Sequence, residues 1–150
     1  MGEFIAASIF EISLNISASS KGNDGYFKNG NLGGSTVNVK WYTKHEGLLD
    51  LNTLSPSDYY LVLTGPKAPA ASSRGTIRPW TIESVFLFNS AELTNKLKLR
   101  GVKVGVATSV TQQLWSEAEI YPISRNREIV LNEDQRKQLA LFSQRSIGEI

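Results

Sequence analysis

Ile5, Ile9, Ile12 and Ile16 recur at three- and four-residue intervals, the spacing of one helix face, and predict an amphipathic helix from about Glu3 to Ser17. Ser19, Ser20, Gly22 and Gly25 end that period. Alternation then takes over. In a strand from Thr36 to Tyr42, Val37, Val39 and Trp41 fall on one side and Asn38 and Lys40 on the other. Tyr26-Phe27 begins a shorter strand, and Asn29-Gly30 and Gly33-Gly34 supply turn positions that tolerate positive φ, so a hairpin with an irregular tip is expected.

Asp58 to Thr64 is apolar at consecutive positions, which suits a central strand covered on both faces, and Gly65-Pro66 stops it. From Gly65 to Trp80 no hydrophobic period survives: Pro66, Pro69 and Pro79 are interleaved with Lys67, Arg74 and Arg78, as in an irregular basic arm. Beyond it, Ile82 to Phe88 reads as a strand, Ala91 to Leu99 as a helix closed by Arg100-Gly101, Val102 to Ala107 as a strand and Thr111 to Ala118 as a helix. Asn132 with Gln135 has the spacing of a capping box. Leu131, Leu139 and Phe142 share a face, predicting a last helix from about Glu133 to Ser143. Strands alternating with helices specify an α/β core with a mixed sheet, in one domain over residues 1–150 and without an internal repeat.

With 150 residues the chain is long enough to bury one core. The absence of cysteine excludes a disulfide framework, a thiolate nucleophile and a zinc–cysteine site, and a lone histidine, His45, cannot build a histidine-rich centre. Any metal would be held by oxygen. No apolar run has the length of a membrane span and no signal-peptide pattern opens the chain, so a cytoplasmic protein without a membrane partner is expected. The net charge of +2 names no partner, but Lys67, Arg74, Arg78, Lys96, Lys98, Arg100 and Lys103 outnumber Glu83 and Glu92 over one stretch. A phosphate backbone could exploit that excess, with Lys67, Arg74 and Arg78 as the nucleic-acid-binding candidates. Neither a GxxxxGK nor a GxGxxG phosphate loop occurs.

The candidate chemistry lies between Asp24 and Lys40. Asn38 and Lys40 share a strand face that can meet Asp24 across the hairpin, gathering two side-chain oxygens and an ammonium. Magnesium, or manganese in its place, prefers oxygen ligands, keeps several waters and needs one or two protein carboxylates. Asp24, the side-chain oxygen of Asn38 and the backbone carbonyl of Val39 would supply the protein share. Lys40 would then orient the attacking water or stabilise charge on the phosphorus centre.

Glu3 in the first helix, Asp24-Gly25 before a strand and Asn38-Val39-Lys40 on the next strand together resemble the PD-(D/E)XK nuclease superfamily, which includes many restriction endonucleases and resolvases. In that family an early helix often offers a glutamate, a strand carries the metal-binding aspartate, and the following strand carries an acid, any residue, then lysine. The resemblance covers about the first sixty residues. It implies a restriction-endonuclease-like three-layer core, with a mixed central sheet flanked by helices. It also implies magnesium- or manganese-dependent endonucleolytic hydrolysis of DNA, with Asp24, Lys40 and Glu3 as catalytic residues and Asp24, Asn38 and Val39 at the metal. One departure stands out: Asn38 occupies the place of the second acid and offers oxygen without charge.

Each residue also has an ordinary reading. Asp24 before glycine suits a turn, Lys40 can guard a strand edge, and Glu3 suits the first turn of any helix. His45 and Glu46 suit either a proton relay near the site or an exposed loop, while Trp41 and Trp80 suit packing better than base stacking. The competing function is therefore a noncatalytic module that keeps the scaffold and binds nucleic acid, a protein partner or a second copy of itself through the arm and the last helix.

Overall fold

A computed structural model gives the structure of the chain and describes residues 2–15, 24–52, 56–66 and 81–142. In chain order the elements are α1 (Gly2–Phe10), β1 (Ile12–Leu14), β2 (Gly25–Phe27), β3 (Thr36–Tyr42), β4 (Leu48–Leu49), β5 (Tyr59–Thr64), β6 (Ser84–Asn89), α2 (Ser90–Leu99), β7 (Thr108–Ser109), α3 (Gln112–Ala118), β8 (Glu119–Tyr121) and α4 (Glu133–Ala140). Six strands form one mixed sheet in the order β1-β2-β3-β5-β6-β8, and β4 and β7 form a separate pair. Only β3 and β5 run parallel within the large sheet; its other neighbours are antiparallel.

Strand alternation sorts the core into two layers. On one face Val37, Val39, Leu61, Leu63, Val85 and Leu87 pack with Ala6, Ile9 and Phe10 of α1 and Leu139 of α4. On the other, Tyr60, Val62, Phe86 and Phe88 pack with Leu93 and Leu97 of α2 and with Leu114, Trp115 and Ala118 of α3. The α/β expectation thus holds, and β5 is the central strand its sequence implies, buried from Tyr60 through Thr64. Each such fully buried aliphatic side chain contributes roughly 1.5–3 kcal/mol of transfer free energy.

The local signals hold where side chains cap helices. Asn132 and Gln135 form the reciprocal capping box at α4. Asn89 caps α2 by accepting from the Glu92 amide, and Gly101 leaves that helix at φ 73°.

The last helix ends at Ala140 rather than near Ser143, and two elements differ from the sequence expectation more deeply. The first helix does not reach Ser17: Glu11 turns out of it at φ 55°, and Ile12–Leu14 pairs with β2 instead. Residues 16–23 lie outside the described residues. A strand position for Ile12 buries it against Phe27 just as a helix would have buried it, so the isoleucine spacing alone does not distinguish the two. Val102 to Ala107 is not a strand. The Thr108 hydroxyl accepts from the Gly105 amide and Ala107 adopts φ 55°, closing a turn that competes with a ladder. The basic arm, with Lys67, Arg74 and Arg78, falls on residues 67–80, outside the described residues. No described helix is long and apolar enough to cross a membrane.

Candidate active site at the β2–β3 hairpin

The hairpin is closed at its tip by backbone bonds from Gly34 N–H to the Phe27 carbonyl (2.8 Å) and from Phe27 N–H to the Ser35 carbonyl (3.0 Å), with Gly30 and Gly34 at φ 78° and 87°. Those are conformations glycine adopts without steric penalty. At the opposite end Gly25 passes very close to β1: a Cβ there would lie 2.1 Å from the Ser13 carbonyl oxygen. Glycine at 25 therefore lets β2 seat against β1 and carries Asp24 to the edge of β3.

Three hydrogen bonds fix Asp24. Its amide donates to the Val37 carbonyl (2.9 Å), its carbonyl accepts from the Asn15 amide (2.8 Å), and its Oδ2 accepts from the Val39 amide (2.6 Å). The carboxylate stands where a neighbouring strand would offer a carbonyl. A residue in a strand projects N–H and C=O to the same side, so the Val39 carbonyl opens on the strand edge that the Asp24 carboxylate occupies.

Burial raises the Asp24 pKa above the usual aspartate value. The Val39 N–H opposes that shift, the negative charge of Glu3 adds to it, and Lys40 opposes it. Glu3 and Lys40 thus lie within electrostatic reach of Asp24, from α1 and from β3 respectively. Glu3 is partly buried in the first turn of α1, and its pKa is lowered, first by a hydrogen bond from its own backbone N–H. It is ionised at neutral pH.

Asn38 and Lys40 lie on the sheet face opposite Val37 and Val39, beside Tyr60 and Val62 of β5, and both are partly buried. Val39 sends its side chain into the α1 layer, which leaves its backbone as the part available to a ligand. The helix that carries Glu3 packs on the Val37 and Val39 face of the sheet, whereas Asn38 and Lys40 lie on the opposite face, so Glu3 and Lys40 act on Asp24 from the two sides of the sheet rather than meeting in one cluster. Among the described residues no three His, Cys, Asp or Glu side chains gather in metal-binding geometry. The oxygen groups here are the Asp24 carboxylate, whose Oδ2 accepts from the Val39 amide, the Glu3 carboxylate, the Asn38 amide oxygen and the Val39 main-chain carbonyl. That oxygen-only set fits a hard divalent cation that retains waters.

His45 and Glu46 do not form a relay with this centre. The His45 ring meets Trp115 at a tilt (4.5 Å between centroids) and Phe86 edge-on (5.3 Å), and Glu46 pairs with Lys44 at 3.3 Å. Trp41 is partly buried against the α1 core layer, on the side its alternation implies, donating from Nε1 to the Thr81 carbonyl (3.3 Å); Trp80 lies outside the described residues. A separate groove of about 790 Å³ runs between α2 and residues 56–59 and includes none of Asp24, Asn38 or Lys40.

Two supporting residues escaped the sequence pattern. Asn15 anchors the Asp24 carbonyl, and Asp58 exchanges bonds with Thr36: Thr36 N–H donates to Asp58 Oδ2 and Asp58 N–H to Thr36 Oγ1, both at 2.9 Å, fixing where β3 starts against β5. Asn15 acts through its main-chain amide, which every residue possesses, and an aspartate bonding nearby backbone at a strand end, as Asp58 does, is too common a signal to single out. Compared with known proteins, the sequence matches no protein-family profile and no curated protein.

Proposed function

We propose that the chain is a metal-dependent DNA endonuclease with a restriction-endonuclease-like fold of the PD-(D/E)XK kind. The observation that carries the reading is the Asp24 carboxylate clamped to the Val39 amide at the β3 edge, within the fields of Glu3 and Lys40. The meander of β1, β2 and β3 behind a helix bearing Glu3, followed by a strand parallel to β3, supports the fold assignment.

In this reading Asp24, the Asn38 amide oxygen and the Val39 carbonyl would hold magnesium or manganese, which would supply Lewis acidity for phosphodiester hydrolysis. Oδ2 of Asp24 is committed to the Val39 amide, so its other oxygen is the ligand. Glu3, ionised at neutral pH, adds the negative charge that Asn38 lacks. Lys40 orients the attacking water and offsets charge that develops on the phosphoryl oxygens.

The neutral Asn38 favours a second reading, a lapsed nuclease that keeps the scaffold for binding. Calorimetry with magnesium and manganese, and cleavage of duplex DNA, on the native chain, Asn38→Asp and Asp24→Ala separate the two. Cleavage by the native chain and its loss in Asp24→Ala support the enzyme. Metal binding by Asn38→Asp alone supports the lapsed form, and three indistinguishable proteins refute both.

A further inference from the structure

Tyr26 is the one aromatic side chain on the polar face of the hairpin's shorter strand. In register it stands between Ser13 of β1 and Thr36 of β3, on the face that also carries Asn38 and Lys40. The opposite face of the same strands holds Ile12, Phe27, Val37 and Val39 in the core. Aromatic residues favour strands because they pack on cross-strand neighbours. Here both direct neighbours are small and polar, and 45 % of the tyrosine remains exposed. Neither direct cross-strand neighbour therefore accounts for a ring at this position.

Its placement does point to a ligand. Tyr26 is two residues from Asp24, ~7 Å along the strand, and Asn38 is its diagonal cross-strand neighbour, within reach of an aromatic side chain. A phenol combines an apolar ring, suited to a deoxyribose, with a hydroxyl that donates to a phosphate oxygen, a common way for tyrosine to position a nucleic-acid backbone.

We infer that Tyr26 is a substrate-positioning residue: its ring packs on the sugar, and its hydroxyl donates to the phosphate, of the nucleotide adjoining the one cleaved at Asp24. The inference rests on the nuclease reading above. It makes Tyr26 a contact to the backbone, indifferent to base sequence, and the ligand a DNA strand running along the face of β1–β3 that carries Tyr26, Asn38 and Lys40.

The test measures binding of a duplex oligonucleotide in EDTA and steady-state cleavage with magnesium, for the native chain, Tyr26→Phe and Tyr26→Ala. Losing a hydrogen bond to a charged group weakens binding about tenfold, so Tyr26→Phe should raise Kd and KM by that factor, and Tyr26→Ala by more. The salt slope should not change, because a neutral donor releases no counterion, and kcat should stay near the native value. Equal thermal midpoints of the three proteins would show that the fold is intact. If the native chain cleaves DNA and Tyr26→Ala matches it in Kd and KM, or if kcat falls while KM is unchanged, the inference is overturned and the nuclease reading stands. If the native chain neither binds nor cleaves, both fall together.

Discussion

Replacing Gly25 by alanine tests whether the approach of β2 to β1 is what seats Asp24. The added Cβ would sit 2.1 Å from the Ser13 carbonyl oxygen, 3.0 Å from its carbonyl carbon and 3.1 Å from the Ile12 Cγ2 methyl. Relief requires the two backbones to part by roughly 1 Å, and neither is free to move. Ile12 is buried against Phe27 on one side of β1, and Asp24 is held to both Val37 and Asn15 on the other. Overpacking of this kind destabilises by ~1–3 kcal/mol and by more when backbone rather than a flexible side chain must yield, so a loss of about 3 kcal/mol is expected. With a urea m-value of ~1.5–2 kcal/mol/M, the unfolding midpoint falls by about 1.5–2 M. Gly105→Ala is the control: a Cβ there meets nothing within 4 Å and its φ is not positive, so its effect stays within about 0.5 kcal/mol. Urea unfolding of the native chain and both variants, followed by circular dichroism, gives the comparison. A midpoint for Gly25→Ala within error of the native value would refute the reasoning and show that β1 yields freely.

Asp24→Asn should be more stable than the native chain at pH 7, because the amide oxygen still accepts from Val39 while the buried charge disappears. The folded pKa of Asp24 is raised, so its contribution is most favourable below the unfolded value near 4 and is lost as pH rises through the folded one; the advantage of the variant should therefore open over that window and vanish in acid. Thermal unfolding between pH 3 and pH 8 without metal checks the sign, and a constant difference across the range would refute it. Gln135→Ala removes two bonds at once, the Asn132 amide to Oε1 (2.9 Å) and Nε2 to the Ile9 carbonyl at the end of α1 (2.8 Å), and should destabilise by ~1–2 kcal/mol in urea unfolding. No measurable loss would mean that the α1 terminus is satisfied without α4.

The parts of this molecule legible in its sequence are those where one local signal has one structural solution. Alternation over Thr36 to Tyr42 gives β3 to the residue, the apolar run after Asp58 gives the central strand, and Asn132 with Gln135 gives the start of α4. Signals with two solutions misled. The isoleucine spacing near the N-terminus suits a helix through Ile12, but a hairpin partner at Phe27 buries Ile12 equally well, and only the tertiary neighbour decides. The three residues of β8 and the two each of β4 and β7 are too short to carry a period at all. At the site, Asp24, Asn38 and Lys40 are readable as a spacing. The anchoring of Asp24 on Asn15 and Val39 is not, because it depends on backbone groups that every residue possesses.

The energetics of Asp24 argue against the ordinary turn reading. A turn aspartate is solvated, and its hydrogen bonds to backbone amides lower its pKa. Here burial outweighs the Val39 amide, and a second carboxylate, Glu3, acts in the same direction as burial. Keeping Asp24 ionised disfavours the folded chain, since asparagine at 24 could make the same bond to Val39 without the charge, whereas the lowered pKa of Glu3 shows that its own charge is accommodated. Lys40 offsets only part of the repulsion. The charge on Asp24 thus carries an electrostatic cost that its bond to Val39 does not require. That cost sets Asp24 apart from a solvated turn aspartate, and the pH dependence of Asp24→Asn measures it directly.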